Sequence, residues 1–215
     1  MERKISFAPG EYYHIYNRGV EKRKIFLNES DYERFIKLLY LCNGTKQIVF
    51  RDLAKKDHFV LDVGEKIIAI GSYVLMPNHF HILVKAKDDI GITMFLRKLS
   101  TAYTMYFNKK NERVGPLFQG AFKAEHLNTD EYLKYIYSYI HLNPGKIIDS
   151  EWKENIYRKP KEIFSFIEKY PYSSFIDYIN NERTQQVILS KDEFPTYFKD
   201  QSDLVESLTD WLTLT

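Results

Sequence analysis

Apolar and polar positions along the chain repeat with two different periods, and the switches between them outline a mixed α and β protein. Glu11–Tyr16 (EYYHIY) is aromatic and β-branched and predicts a first strand, ended by Asn17-Arg18-Gly19, with Gly19 suited to a turn. From Ser30 the spacing becomes helical. Tyr32, Phe35, Ile36, Leu39 and Tyr40 share a face, Ser30-Asp31-Tyr32-Glu33 has capping-box spacing, and Asn43-Gly44 marks the stop. Lys46–Glu65 carries no clear period and reads as a variable connection. Lys66–Met76 (KIIAIGSYVLM) is almost continuously apolar, which predicts a strand covered on both faces. Pro77-Asn78 predicts a tight hairpin into the next strand, His79–Val84. A long helix follows from about Ile90 to Asn108, then a Gly- and Pro-containing loop at Gly115–Gly120 and a weakly alternating strand over Ala121–Leu127. Thr129 caps a last regular helix, Asp130 to about Leu142, halted by Asn143-Pro144-Gly145.

Strand, helix, strand–hairpin–strand, helix, strand, helix is the order of a ferredoxin-like α+β fold. It predicts an antiparallel sheet with helices on one face, the third strand central, and one more helix at the end. We divide the chain into residues 1–145, which hold this pattern, and an extension, 146–215, that is helical or irregular. The extension includes Tyr170-Pro171-Tyr172-Ser173-Ser174-Phe175 and an acidic amphipathic end at Leu204, Leu208, Trp211 and Leu212.

At 44% hydrophobic residues, the chain can build a core without disulfides, and its single cysteine, Cys42, excludes an internal one. Cys42 reads as a buried thiol. No apolar run reaches the length of a membrane span, and Met1-Glu2-Arg3-Lys4 leads into no long apolar segment, so a cytoplasmic protein is expected. The net charge of +2 identifies no partner, but its distribution is uneven. Arg97, Lys98, Lys109, Lys110, Arg113 and Lys123 face only Glu112 in the middle of the chain, whereas acidic residues dominate from Asp177 onward. A basic middle suits a polyanion.

Candidate chemistry lies at two places. Residues two apart on a strand share a face, so His79 and His81 present two imidazoles together while Phe80, Ile82 and Val84 face the core. That is half of a metal site. On the last helix, Leu133, Ile136, Tyr137 and Ile140 form the packing stripe. Tyr139 and Asn143 stack one turn apart on a neighbouring stripe. The amide could be a third ligand and the phenol a nucleophile.

His79-Phe80-His81 is a His–hydrophobic–His motif. In its setting, Tyr73-Val74-Leu75-Met76-Pro77-Asn78-His79-Phe80-His81, it resembles the single-tyrosine HUH transposases of the insertion-sequence superfamily. Tyr13–Gly19 (YHIYNRG), Gly115–Lys123 (GPLFQGAFK), Tyr139–Pro144 and Pro171–Phe175 resemble blocks of the branch called REP-associated tyrosine transposases. Together these blocks are far more specific than any one of them, and they span about residues 11 to 178. The resemblance does not extend past about Asn180.

The resemblance implies that His79 and His81 bind a divalent ion, Mg²⁺ or Mn²⁺. It places Asn143 as the third, helix-borne ligand and Tyr139 as the nucleophile. Cleavage of single-stranded or hairpin DNA would pass through a covalent 5′-phosphotyrosine and need no nucleotide cofactor. Lys109, Lys110, Arg113 and Lys123 would contact phosphates; Asn17, Arg18 and Gln119 would read bases or hairpin shape; Phe118 would stack on an unpaired base. His14 reads as a sheet histidine. A monomer or homodimer is expected. Two other readings stand beside this one: a relaxase or rolling-circle initiator, and a non-cleaving binder of hairpin DNA or RNA.

Overall fold

The computed structural model describes residues 6–48, 58–148, 160–179, 183–197 and 202–204. Four strands, β1 (Tyr12–Arg18), β2 (Ala69–Met76), β3 (His79–Lys85) and β4 (Lys123–His126), form one antiparallel sheet in the order β2-β3-β1-β4. That is the ferredoxin-like order, with β3 and β1 central. Helices α1 (Glu29–Leu41) and α2 (Gly91–Lys110) cover one face. Helix α3 (Asp130–Leu142) lies on the other, with the short α4 (Gly145–Ile148) and α5 (Pro160–Lys169) after it.

Strand alternation builds two cores. Tyr13, Ile15, Phe80, Ile82 and Val84 point toward α1 and α2 and meet Phe35, Leu39, Phe95 and Tyr103. Leu83, Val74 and Met76 point the other way and meet Leu133, Ile136, Tyr137 and Ile140 of α3. The histidines of β3 share this second face with α3.

Every residue of β2 is buried, although β2 is an edge strand of the four. The extension explains this. The backbone N–H of Leu75 bonds to Tyr172 O and that of Ser174 to Tyr73 O, so residues 172–174 cap the open edge. Ser190 N–H bonds to Ile70 O farther along. The ring of Phe194 lies against Gly71, where an added Cβ would come within 2.7 Å of it. Tyr172 stacks on Tyr32 of α1 with centroids 3.9 Å apart.

Some local expectations change. The predicted capping box does not form: α1 starts at Glu29, and buried Asp31 accepts a hydrogen bond from Leu27 N–H instead. Asn17 and Arg18 do not end β1 but extend it, paired with Phe80 and His79. Thr129 does cap α3, accepting from Tyr132 N–H at 3.1 Å. Within Lys46–Glu65, residues 49–57 lie outside the described set, and Phe59 is buried beside Tyr40. Of the amphipathic end, Leu204 is buried, while Leu208, Trp211 and Leu212 lie outside the described residues. Cys42 is buried, and burial pushes its thiol up to about 11.

Candidate active site between β1, β3 and α3

The Pro77-Asn78 turn joins β2 to β3 and sets where His79 begins. Its two carbonyls are gripped from outside: Gly19 N–H bonds to Asn78 O, and Ile25 and Phe26 N–H bond to Pro77 O. The segment after β1 thus fixes the start of β3. Register does the rest, setting Arg18 opposite His79 and Tyr16 opposite both His81 and Lys123. On this face His14, Tyr16, His79 and His81 lie beneath α3.

Helix α3 brings Tyr139 over them. Its ring stands edge-on to His81 at 5.4 Å between centroids and to His14 at 6.1 Å. The imidazoles of His79 and His81 lie 5.0 Å apart and nearly perpendicular. A cavity of about 400 Å³ is lined by Tyr16, Asn17, Arg18, Asn78, His79, His81, Gln119, Lys123 and Tyr139. A second, of about 390 Å³, lies on the other side of Tyr139 and is bounded by His14, Glu125, Tyr132 and Tyr135.

Sequence reasoning missed Lys146. From α4 its ammonium donates to Tyr139 Oη at 3.3 Å and sits 5.0 Å over the same ring. No periodicity points to it, because it follows the Asn143-Pro144-Gly145 stop and reaches Tyr139 only through the turn that stop creates. It also missed Glu125, which accepts from Tyr16 Oη at 2.8 Å and from Tyr132 Oη at 3.0 Å.

The electrostatics follow from burial beside cations. Desolvation, with Lys146 and Arg18 nearby, pushes the His79 imidazole down to about 4. Desolvation chiefly, then His14, His79 and Lys146, holds His81 well below its ordinary value. Both rings are therefore neutral at pH 7, the form that ligates metal. Burial and the Glu125 carboxylate push Tyr16 up to about 12, so it remains a donor. Burial works against ionisation of Glu125, but the bonds from Tyr16 and Tyr132 outweigh it and keep the carboxyl below its usual value.

Do these residues fit a divalent ion? His79 Nδ1 lies 2.6 Å from Asn78 Oδ1, an acceptor, so Nδ1 carries the proton and Nε2 keeps its lone pair. Asn143 is fully buried at the C-cap of α3, and neither its Oδ1 nor its Nδ2 has a protein partner, an arrangement that costs about 1–3 kcal/mol unless a ligand completes it. Among the described residues no three His, Cys, Asp or Glu side chains are grouped to hold an ion. The two neutral imidazoles suit such an ion, and the unpartnered Asn143 amide has the chemistry of a further donor, with remaining positions for water or phosphate oxygens.

The structure does not gather every candidate. Asn17, Arg18, Gln119 and Lys123 join the cavity, where Arg18 Nε–H bonds to Gln119 Oε1. Asn17 is 5% exposed, and its amide donates to Gly120 O while accepting Arg18 N–H. Asn143 is not among the cavity's lining residues. Phe118 is not presented for stacking: it is buried against Phe80 and Tyr103, since the bridge between Gly19 and Phe118 turns its ring inward. Lys110 is committed elsewhere, its ammonium 2.6 Å from fully buried Asp31. Arg113 holds Asn108 Oδ1 at 2.7 Å, and Lys109 is exposed at the end of α2, away from the cavity lining.

Comparison with known proteins completes the picture. The family described as transposase IS200 like matches residues 10–143. The fold resembles a solved structure of a REP-associated tyrosine transposase bound to a REP hairpin, with a TM-score of 0.52 at 12% identity. The similarity covers 92% of this chain and 95% of that one. No curated protein matches the sequence. Among the described residues no helix is long and apolar enough to cross a membrane.

Proposed function

The chain belongs to the IS200-like transposase family, and we propose that it nicks and rejoins single-stranded DNA through Tyr139. The observation that carries this reading is the placement of one phenol, Tyr139, edge-on beside His81 in a cavity also lined by His79, Arg18 and Lys123. A phenol, two imidazoles and two cationic side chains suited to phosphate line one cavity.

His79 and His81, with Asn143 as third donor, would hold a divalent ion, Mg²⁺ or Mn²⁺. When bound, such an ion supplies Lewis-acid polarisation of a phosphate oxygen. Arg18 and Lys123 bind flanking phosphates and orient the strand. Tyr139 Oη then forms an ester bond to phosphorus as the bond to the leaving 3′-oxygen breaks. The phenol proton passes to solvent and the 3′-oxygen takes one up. Lys146 donates to Oη and stabilises the negative charge that this oxygen carries before attack and again when it leaves. Attack by a second 3′-hydroxyl reverses the step and restores a phosphodiester. The neighbour's REP hairpin supports a hairpin-bearing DNA as the substrate.

Incubation with hairpin-flanked single-stranded DNA and Mn²⁺ tests this. A covalent adduct mapped by mass spectrometry to Tyr139 is expected, and Tyr139→Phe should form none while unfolding within about 1 kcal/mol of the wild type. An adduct on Tyr135 or Tyr137 would overturn the assignment. Binding with no adduct under any divalent metal would establish the non-cleaving binder instead.

A further inference from the structure

His14 is buried in β1 and plays no part in the chemistry above, yet it touches the ligand set. Its Nε2 lies 2.8 Å from Nδ1 of His81, with the rings 5.0 Å apart and 20° from parallel. Its other nitrogen, Nδ1, is buried without a hydrogen bond and lies 3.6 Å from Glu125 Oε2. Sheet register imposes the order: Glu125 faces His14 across β1 and β4, and His81 is its diagonal neighbour on β3. Glu125 is itself held by the hydroxyls of Tyr16 and Tyr132.

A hydrogen bond between two neutral imidazoles has a direction, because one ring must donate and the other accept. A carboxylate only accepts. With Glu125 beside it, His14 Nδ1 carries the proton, which leaves His14 Nε2 bare. The proton in the 2.8 Å bond then belongs to His81 Nδ1, and His81 Nε2 keeps its lone pair. The opposite direction would set a bare nitrogen against a carboxylate and place a proton on His81 Nε2, where it would block ligation. His79 reaches the same tautomer through Asn78.

We propose that Glu125 and His14 form a positioning relay that fixes the tautomer of His81 and thereby leaves its Nε2 as a metal donor. This rests on the metal-binding reading above and deepens it. The relay acts through His81, so its members are positioning residues rather than ligands.

Glu125→Gln is the discriminating variant. It keeps the shape and Tyr16 as a donor to one oxygen. With its NH₂ in the place of Oε2 it donates to His14 Nδ1 and to the Tyr132 hydroxyl instead of accepting from Tyr132, which would reverse the relay. Long-range ¹H–¹⁵N spectra of the metal-free, histidine-labelled full chain, assigned with His14→Gln and His81→Gln, read the tautomers directly. Wild-type His81 is expected protonated at Nδ1 and Glu125→Gln at Nε2, with Mn²⁺ affinity by calorimetry falling about tenfold or more. A wild-type His81 protonated at Nε2, or a tautomer indifferent to Glu125→Gln, overturns the relay even if Mn²⁺ binds. Direct Mn²⁺ coordination by His14 overturns it too. If the tautomers switch as expected but Mn²⁺ does not bind the wild type, the relay stands and the metal reading falls.

Discussion

At the scale of single residues, charge placement separates the chemistry from the scaffold. Lys146 and Lys110 are both lysines near tyrosines, but they serve different ends. Lys146 bonds the oxygen of Tyr139 and should matter to rate. Lys146→Met is expected to slow adduct formation by about 10²-fold in single-turnover assays, the usual cost of removing a donor to a reacting oxygen, while leaving the unfolding midpoint nearly unchanged. Lys110 neutralises Asp31, which is 0% exposed. Lys110→Met leaves that carboxylate with Leu27 N–H and the Tyr106 hydroxyl as partners but no counter-charge. Breaking a buried pair costs about 3–5 kcal/mol. Because Lys110 is partly exposed, about 2 kcal/mol is expected here, read by urea unfolding, with little change in catalytic rate. A large loss of DNA affinity without loss of stability would return Lys110 to the interface.

At the scale of elements, β1 gathers the site. It carries His14 and Tyr16 on one face and Asn17 and Arg18 at its end, and it pairs with both β3 and β4. Arg18 and Lys123 come from different strands yet line one cavity. Neutralising both should flatten the dependence of log K on log salt by about 0.7 for each single-strand phosphate that no longer meets a cation. An unchanged slope would place the DNA elsewhere. The loop before β4 contributes packing. Phe118→Ala removes a ring buried against Phe80 and Tyr103 and should cost about 3–5 kcal/mol, whatever it does to DNA binding.

At the scale of the whole molecule, the extension is part of the fold. Tyr170, Phe175 and Phe194 are buried in the core on the α3 side, and residues 172–174 close the edge of β2. Ending the chain at Gly145 should expose that edge and give an unfolded or aggregating product, seen as loss of a cooperative thermal transition. Buried histidines make stability depend on pH. Desolvation, with Lys191 nearby, lowers His141 to about 3, and burial lowers His14 and His79 to about 4. Their folded values lie below the unfolded value near 6.5, so the unfolded chain binds more protons between these limits. Stability therefore falls as pH drops from about 6.5 toward 4, by up to about 1.4 kcal/mol per unit for each ring. Asp177, raised to about 6 by burial despite Arg183, acts in the opposite sense between about 3.8 and 6, one group against at least three. In metal-free urea unfolding at pH 7, 6 and 5, His141→Gln should lessen the slope by about one proton.

What the sequence determined by itself is what short-range periodicity and local chemistry can carry. The alternation at His79–Val84 put two imidazoles on one face, and the 3.6-residue period of Asp130–Leu142 separated packed Tyr137 from Tyr139. Thr129 marked the helix start, and the order of elements led to the sheet order. All but the sheet order, which follows from connectivity, depend on neighbours within a turn or a strand, where bond geometry sets direction. Tertiary structure alone decided the rest. Phe118 looked available in a Gly- and Pro-containing loop, but a bridge to Gly19 turns it into the core. Ser30 does not cap because α1 already starts at Glu29, with Asp31 tied back to Leu27 N–H and paired with Lys110 across 79 residues of chain. Lys146 meets Tyr139 only through the turn after α3, and His14 meets His81 and Glu125 only through sheet register. Such contacts form when separate elements pack, and packing is set by the summed burial of the whole core rather than by any local pattern.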